Sequence, residues 1–143
     1  MDKKLLRDAL DLLSREQPAQ LEMELDGETV REIVELLQSY PISYSRKLTV
    51  LACSMLIYSA ISKHLDLSAE DDRALSRGIL NGDYLFGLYH RLAADRNEWK
   101  LLVHLSLFNK RMQLALVEGQ NSRQALFAFL KSEIKSYLDR YSA

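Results

Sequence analysis

Cysteine is nearly missing from this chain. The single one, Cys53, excludes an internal disulfide. It sits in an uncharged run and reads as a buried, reduced thiol. Proline is almost as scarce, and Pro18 and Pro41 both fall where a helix is expected to stop. Long hydrophobic runs are lacking too. The longest uncharged stretch, Leu48 to Ser62, falls short of the roughly 20 residues that a membrane span needs. It also contains Thr49, Ser54 and Ser59, so no membrane span is expected. Met1-Asp-Lys-Lys leads into an amphipathic pattern with acids throughout, which is not a signal peptide and points to a cytoplasmic protein. Neither sign of charge dominates: 19 basic residues meet 20 acidic ones, for a net charge of −1. The basic face that general nucleic-acid binding requires is therefore absent. No stretch alternates polar and apolar residues long enough to argue a strand, and there is no internal repeat or low-complexity tract.

What is present is helical periodicity, in a length that suits one domain over residues 1–143. Over residues 3–16, Leu6, Leu10 and Leu13 are expected on one face. A second helix is expected from Asp26-Gly27 to just before Pro41, with Val30, Ile33, Val34 and Leu37 at helical spacing. The third, over 45–63, is apolar all round, with Leu48, Leu51 and Met55 on one side and Val50, Ile57 and Ile61 on another. A helix like that is surrounded by others. Ser68 with Asp71 three residues on resembles a capping box for a short helix over 69–77. A glycine-marked helix over 79–94 follows, carrying Leu85, Leu88, Tyr89 and Leu92 on one face, and Asp95-Arg96-Asn97 breaks it. Residues 98–118 carry Leu101, Leu105, Phe108, Met112 and Ala115, with a second apolar stripe of Leu107, Leu114 and Val117. Gly119 to Ser122 reads as a turn. A last helix over 122–141 places Leu126, Phe129, Leu130, Ile134, Tyr137, Leu138 and Tyr141 together. The expectation is an all-α bundle of about six to seven helices. The second stripe on 98–118 and the all-apolar third helix leave two readings open: a partner covers the surplus, or the bundle encloses it.

Chemistry-bearing residues give few patterns. Glu70-Asp71-Asp72 has adjacent carboxylates, but magnesium–diphosphate chemistry needs acids one turn apart, and that position holds Leu75. A charged first helical turn explains the cluster. His64, His90 and His104 lack metal-ligand spacing. His64 suits the carboxyl end of a helix, while His90 and His104 read as surface or partner-facing. No nucleophile–base pair has a local signature, and no short basic recognition helix stands out. Arg73, Arg77, Arg91, Arg96 and Lys110-Arg111 are each able to meet a phosphate, though solvated side chains are the plainer reading. Of the aromatic residues Tyr84, Phe86, Tyr89, Trp99 and Phe108, a mixture of core packing and interface anchors is expected.

The segment that asks most for an explanation is Gly78 to His90. A glycine within a helix costs about 1 kcal/mol relative to alanine. Gly82 and Gly87 thus imply a close approach by another helix or a ligand. The longer run Leu75 to Ala93, with Gly82-Asp83-Tyr84 followed by Gly87, Leu88 and Tyr89, resembles a segment of the polyprenyl diphosphate synthase superfamily. It is most similar to the small subunit, component 1, of the two-component heptaprenyl and hexaprenyl diphosphate synthases of Gram-positive bacteria. The preceding apolar helix from Lys47 and the later Phe108-Asn-Lys-Arg-Met112 fall where that family has its equivalents, so the resemblance covers about residues 45–118. Longer family members continue well past Ala143.

The resemblance implies a reduced isoprenoid-synthase-like bundle and an accessory, non-catalytic subunit. The activity would need a catalytic large subunit, which holds the Asp-rich motifs and Mg²⁺, elongates farnesyl diphosphate with isopentenyl diphosphate, and feeds the menaquinone side chain. This chain would carry no cofactor of its own, and the prenyl chain would lie at the shared interface of a heterodimer. Gly82, Asp83, Tyr84, Gly87 and Tyr89 would line the partner interface, and Gly82→Leu is expected to abolish the complex. A helical adaptor or regulatory module with an unrelated partner is the alternative.

Overall fold

In the computed structural model, which describes residues 3–16, 27–65, 71–119 and 123–142, the helical periodicities resolve into six α-helices. These are α1 (Lys3–Glu16), α2 (Gly27–Gln38), α3 (Tyr44–Leu65), α4 (Asp72–Asp95), α5 (Trp99–Val117) and α6 (Arg123–Tyr141), and the described residues contain no strand. The all-α bundle expected from the sequence is what forms.

Helix α3 is the centre because its sequence has no polar face to show to water. Every residue from Thr49 to Ser62 is buried, and each of the other five helices packs on it. Burying one large aliphatic side chain contributes roughly 1.5–3 kcal/mol, so this helix anchors the core. Two of its buried hydroxyls bond back along the helix, while Ser62 Oγ has no hydrogen-bond partner among the described residues. Thr49 Oγ1 donates to Ser45 O at 2.9 Å and Ser54 Oγ to Val50 O at 2.6 Å. Cys53 is fully buried and free, and burial pushes its thiol pKa up.

The surrounding helices give α3 one face each. Val30, Ile33, Val34 and Leu37 of α2, Leu85, Leu88, Tyr89 and Leu92 of α4, and Leu126, Leu130, Ile134, Tyr137 and Leu138 of α6 are buried as their spacing predicts. Two expected faces shift. In α1 the buried line is Leu5, Ala9 and Leu13, while Leu10 is 43% exposed. The doublets Leu5-Leu6 and Leu12-Leu13 support two overlapping faces, and packing on α3 selects the one that a small Ala9 lets approach. In α6, Phe129 is turned outward, away from the buried residues of its helix.

The short helix expected over 69–77 does not end before the glycine segment. It continues through Gly78 into one helix of 24 residues. Its N-cap is Asp71, whose side chain accepts from the Ala74 amide at 2.6 Å. Ser68 and Glu70 lie outside the described residues, as do Gln120, Asn121 and Ser122 of the expected turn. At its other end α4 closes in a Schellman-type turn. The Glu98 amide donates to Ala93 O and the Asn97 amide to Ala94 O, with Asn97 at φ 61°. Asparagine tolerates that left-handed conformation better than other residues with a Cβ. This turn aims α5 back across α3.

Candidate functional site

The segment singled out by its glycines divides between the interior and the surface. Gly82 is buried where α4 crosses the end of α3. A Cβ built there would lie 2.4 Å from His64 Nε2, 2.6 Å from His64 Cδ2 and 3.1 Å from the Ala60 carbonyl oxygen. The close approach that the glycine implied is therefore made by this chain's own α3. His64 is held over Gly82 from behind, with Gln113 Nε2 3.0 Å from its Nδ1. The His64 Nε2 faces Asp83 Oδ1 across 3.5 Å.

Tyr89 is likewise committed inward. It is fully buried and its hydroxyl donates to Leu102 O and meets Ser106 Oγ at 3.2 Å on α5. Burial raises the pKa of this phenol. Of the five residues expected at a partner interface, Gly82 and Tyr89 thus hold α4 to α3 and α5. Asp83, Tyr84 and Gly87 face outward, with Leu80 one turn before Tyr84. Nothing lies within 4 Å of a Cβ built at Gly87. Gly82→Leu would act by spoiling the α3–α4 packing and is not a test of partner binding.

The histidines are less free than expected. His90 Nδ1 lies 2.9 Å from Phe86 O, and its ring stands edge-on to Phe86 and Tyr89. His104 Nε2 is 2.8 Å from Glu133 Oε2, which also holds Arg111 through Oε1. The His90 contacts lie within α4, whereas Glu133 ties α6 to α5.

Helix α5 exposes an apolar line, interrupted by Lys110 between Leu107 and Leu114. Trp99 is 57% exposed, Val103 61%, Leu107 51% and Leu114 55%. These positions follow one another at four-, four- and seven-residue spacing, so they share the face opposite the buried Leu101, Leu105 and Phe108. Single exposed leucines are ordinary on protein surfaces; here four large apolar side chains lie exposed along one helix. Of the surplus apolar stripe expected over 98–118, Leu107 and Leu114 are thus left uncovered.

Where this line begins, the ends of four helices enclose a cleft of about 630 Å³ that sequence reasoning did not assemble. Its base is a buried ionic network. Glu98, with its carboxylate almost wholly buried, accepts from Arg46 Nε at 2.9 Å and from the Tyr137 hydroxyl. Arg46 also donates to Tyr141 O at 2.8 Å and to Tyr137 Oη at 3.1 Å. Burial opposes the arginine's charge, but the bonds to Glu98 and Tyr137 outweigh it and hold its pKa above the ordinary value. Burial and the bond to Glu98 push Tyr137 up as well. The carboxylate is drawn so far toward Arg46 that it does not cap α5. Arg96 binds neutral oxygens at the wall, Thr49 Oγ1 at 2.6 Å and Ser45 Oγ at 3.1 Å. The network joins residues up to 95 positions apart, which is why no local motif announced it.

Asp71 and Asp72 open α4, Asp71 as its cap. Among the described residues no three His, Cys, Asp or Glu side chains converge as a metal site, and no helix is long and apolar enough to cross a membrane. No known protein family matches the chain, and neither curated proteins nor solved structures include a match.

Proposed function

We propose that this chain is a helical accessory subunit that works bound to another protein, and that its partner is the catalytic large subunit of a long-chain polyprenyl diphosphate synthase. The observation that carries the first part is the exposed line Trp99, Val103, Leu107 and Leu114 on α5. Fully burying a large apolar side chain contributes roughly 1.5–3 kcal/mol, and since these four are already about half covered, one partner helix laid along this line gains a part of that from each. Trp99 at its end has the size and amphipathic ring of an interface anchor.

The second part is supported by the resemblance of Leu75–Ala93 to the small subunits of those synthases. Asp83, Tyr84 and Gly87, which face outward on α4, are the members of that motif open to a partner. In such a complex the catalytic subunit supplies Mg²⁺, the Asp-rich motifs and the diphosphate chemistry. This chain supplies apolar helix surface that walls the growing prenyl product and keeps the partner's helices in the competent arrangement.

The test is reconstitution. The chain and a catalytic subunit from the same organism are assayed apart and together with farnesyl diphosphate, labelled isopentenyl diphosphate and Mg²⁺. Long-chain product from the mixture alone is expected. A catalytic subunit of demonstrated competence whose product is unchanged by this chain would refute the assignment and favour a helical adaptor with another partner.

A further inference from the structure

The exposed line of α5 is apolar except at one point. Lys110 stands in it, between Leu107 and Leu114, and has no carboxylate within ion-pair distance among the described residues. Any surface that covers both Leu107 and Leu114 covers Lys110 as well. An ammonium removed from water without a counter-charge is costly, so the covering surface has to bring a carboxylate there. The rest of α5 has none to offer. From Trp99 to Val117 it carries Lys100, Lys110 and Arg111 and no acid. Helices α1, α2, α4 and α6, which also have outer faces, all carry acids, in a chain whose net charge is −1. The basic bias of α5 is therefore local.

A groove of about 340 Å³ runs between α5 and α6 along this line. Trp99, Val103 and Leu107 form its apolar side, Lys100 and Arg140 stand at its edge, and no acid is among its lining residues. Lys100 Nζ lies 4.6 Å from the centre of the Tyr141 ring and Arg140 Cζ 6.0 Å from it. Neither cation has a carboxylate within ion-pair distance among the described residues. On α6, Glu133 is already taken by His104 and Arg111. The face is thus an apolar stripe with unpaired cations near both ends. Lys100 and Lys110 are ten residues, about 15 Å, apart along the helix.

We infer that the element covering this face is an acidic amphipathic helix, with apolar side chains along one face, a carboxylate opposite Lys110, and others about three turns away opposite Lys100 and Arg140. The inference rests on the reading of the α5 line as a contact surface, and it names the chemistry of the partner. A helix lays its apolar face into a groove of this kind, and charge pairs along the edge fix its register. A second copy of this chain fits badly, because α5 against α5 opposes like charges and brings no carboxylate to Lys110. A lipid surface is flat and does not fill a groove.

Trp99 is the only tryptophan, so its fluorescence reports on this face. The full-length chain is titrated with two tryptophan-free, stapled helical peptides of about five turns. One has a leucine stripe flanked by glutamates, and the other has the same stripe flanked by lysines. The acidic peptide is expected to bind at least about tenfold tighter at low salt, with the gap closing near 1 M salt. The Lys100→Glu, Lys110→Glu double variant is expected to reverse the preference. Its circular dichroism is expected to match the parent, since both side chains are exposed. The parent and the double variant are then each mixed with the catalytic large subunit. A complex that the double variant loses supports the inference. A complex that it keeps at full strength would overturn the inference and leave the catalytic partner standing. A preference for the acidic peptide with no such complex would keep the inference and remove that partner. Equal binding of the two peptides, binding of neither, or binding of phosphatidylserine vesicles in their place would overturn it.

Discussion

Gly82 and Gly87 look alike in the sequence and do opposite things in the fold. A methyl group at Gly82 meets the His64 ring and the Ala60 carbonyl, whereas at Gly87 it meets nothing. Gly87→Ala is therefore expected to stabilise the protein by about 0.5–1 kcal/mol through helix propensity. Gly82→Ala gains the same propensity but overpacks the α3–α4 crossing, for a net loss of about 1–2 kcal/mol. Urea denaturation of the two variants checks the pair, and equal shifts would show that His64 does not confine Gly82. The sequence already said that each glycine needed a reason. It did not say which neighbour supplied it, because His64 and Gly82 are brought together by the packing of α4 on α3 and not by spacing. Tyr89 teaches the same lesson: its ring marks it equally as anchor or core, and only the acceptors on α5 decide.

At the scale of elements, most of the fold was legible. Periodicity located all six helices, and the all-apolar pattern of α3 placed it at the centre. Misreadings occurred where two patterns competed. Gly78 and the apparent capping box suggested a break that helix propagation overrides, and the leucine doublets of α1 offered two faces for one. The α5 line was visible as a second stripe, but whether α4 or α6 covered it depended on how far each helix reaches around α5. Because Val103 and Leu107 contact solvent, Val103→Lys and Leu107→Lys are each expected to change unfolding free energy by no more than about 0.5 kcal/mol. Thermal or urea denaturation of the isolated chain is the check; a loss of several kcal/mol would mean that the chain itself buries this line.

The whole molecule is locked at one end by ionised and polar groups and along its length by apolar packing. The candidate cleft was scarcely legible: Arg96 stood out as able to meet a phosphate, but Arg46, Glu98, Lys100, Tyr137 and Arg140 converge from three parts of the chain. The interior also holds three protonated acids. Cys53, Tyr89 and Tyr137 all have pKa values raised above their ordinary 9.0, 10.0 and 10.0. Their protons are held equally by the folded and unfolded chain at neutral pH, so their contribution is intact there. As pH rises past 9 and then 10, the unfolded chain releases them first and stability falls. Each fully titrated group adds a slope of about 1.4 kcal/mol per pH unit. Urea midpoints between pH 8 and 11 are expected to fall steeply, and less steeply in Tyr137→Phe. A flat profile would contradict the buried state of these groups.

The central claim is that the α5 line is covered by a catalytic partner. Sedimentation of the chain mixed with a prenyl diphosphate synthase large subunit, for the parent and for the Val103→Lys, Leu107→Lys double variant, addresses it most directly. A stable complex with the parent, weakened at least about a hundredfold in the variant, is predicted, since two buried apolar contacts are replaced by charges. Full-strength binding by a folded double variant would contradict the assignment of this face, and no complex with the parent would contradict the assignment of the partner.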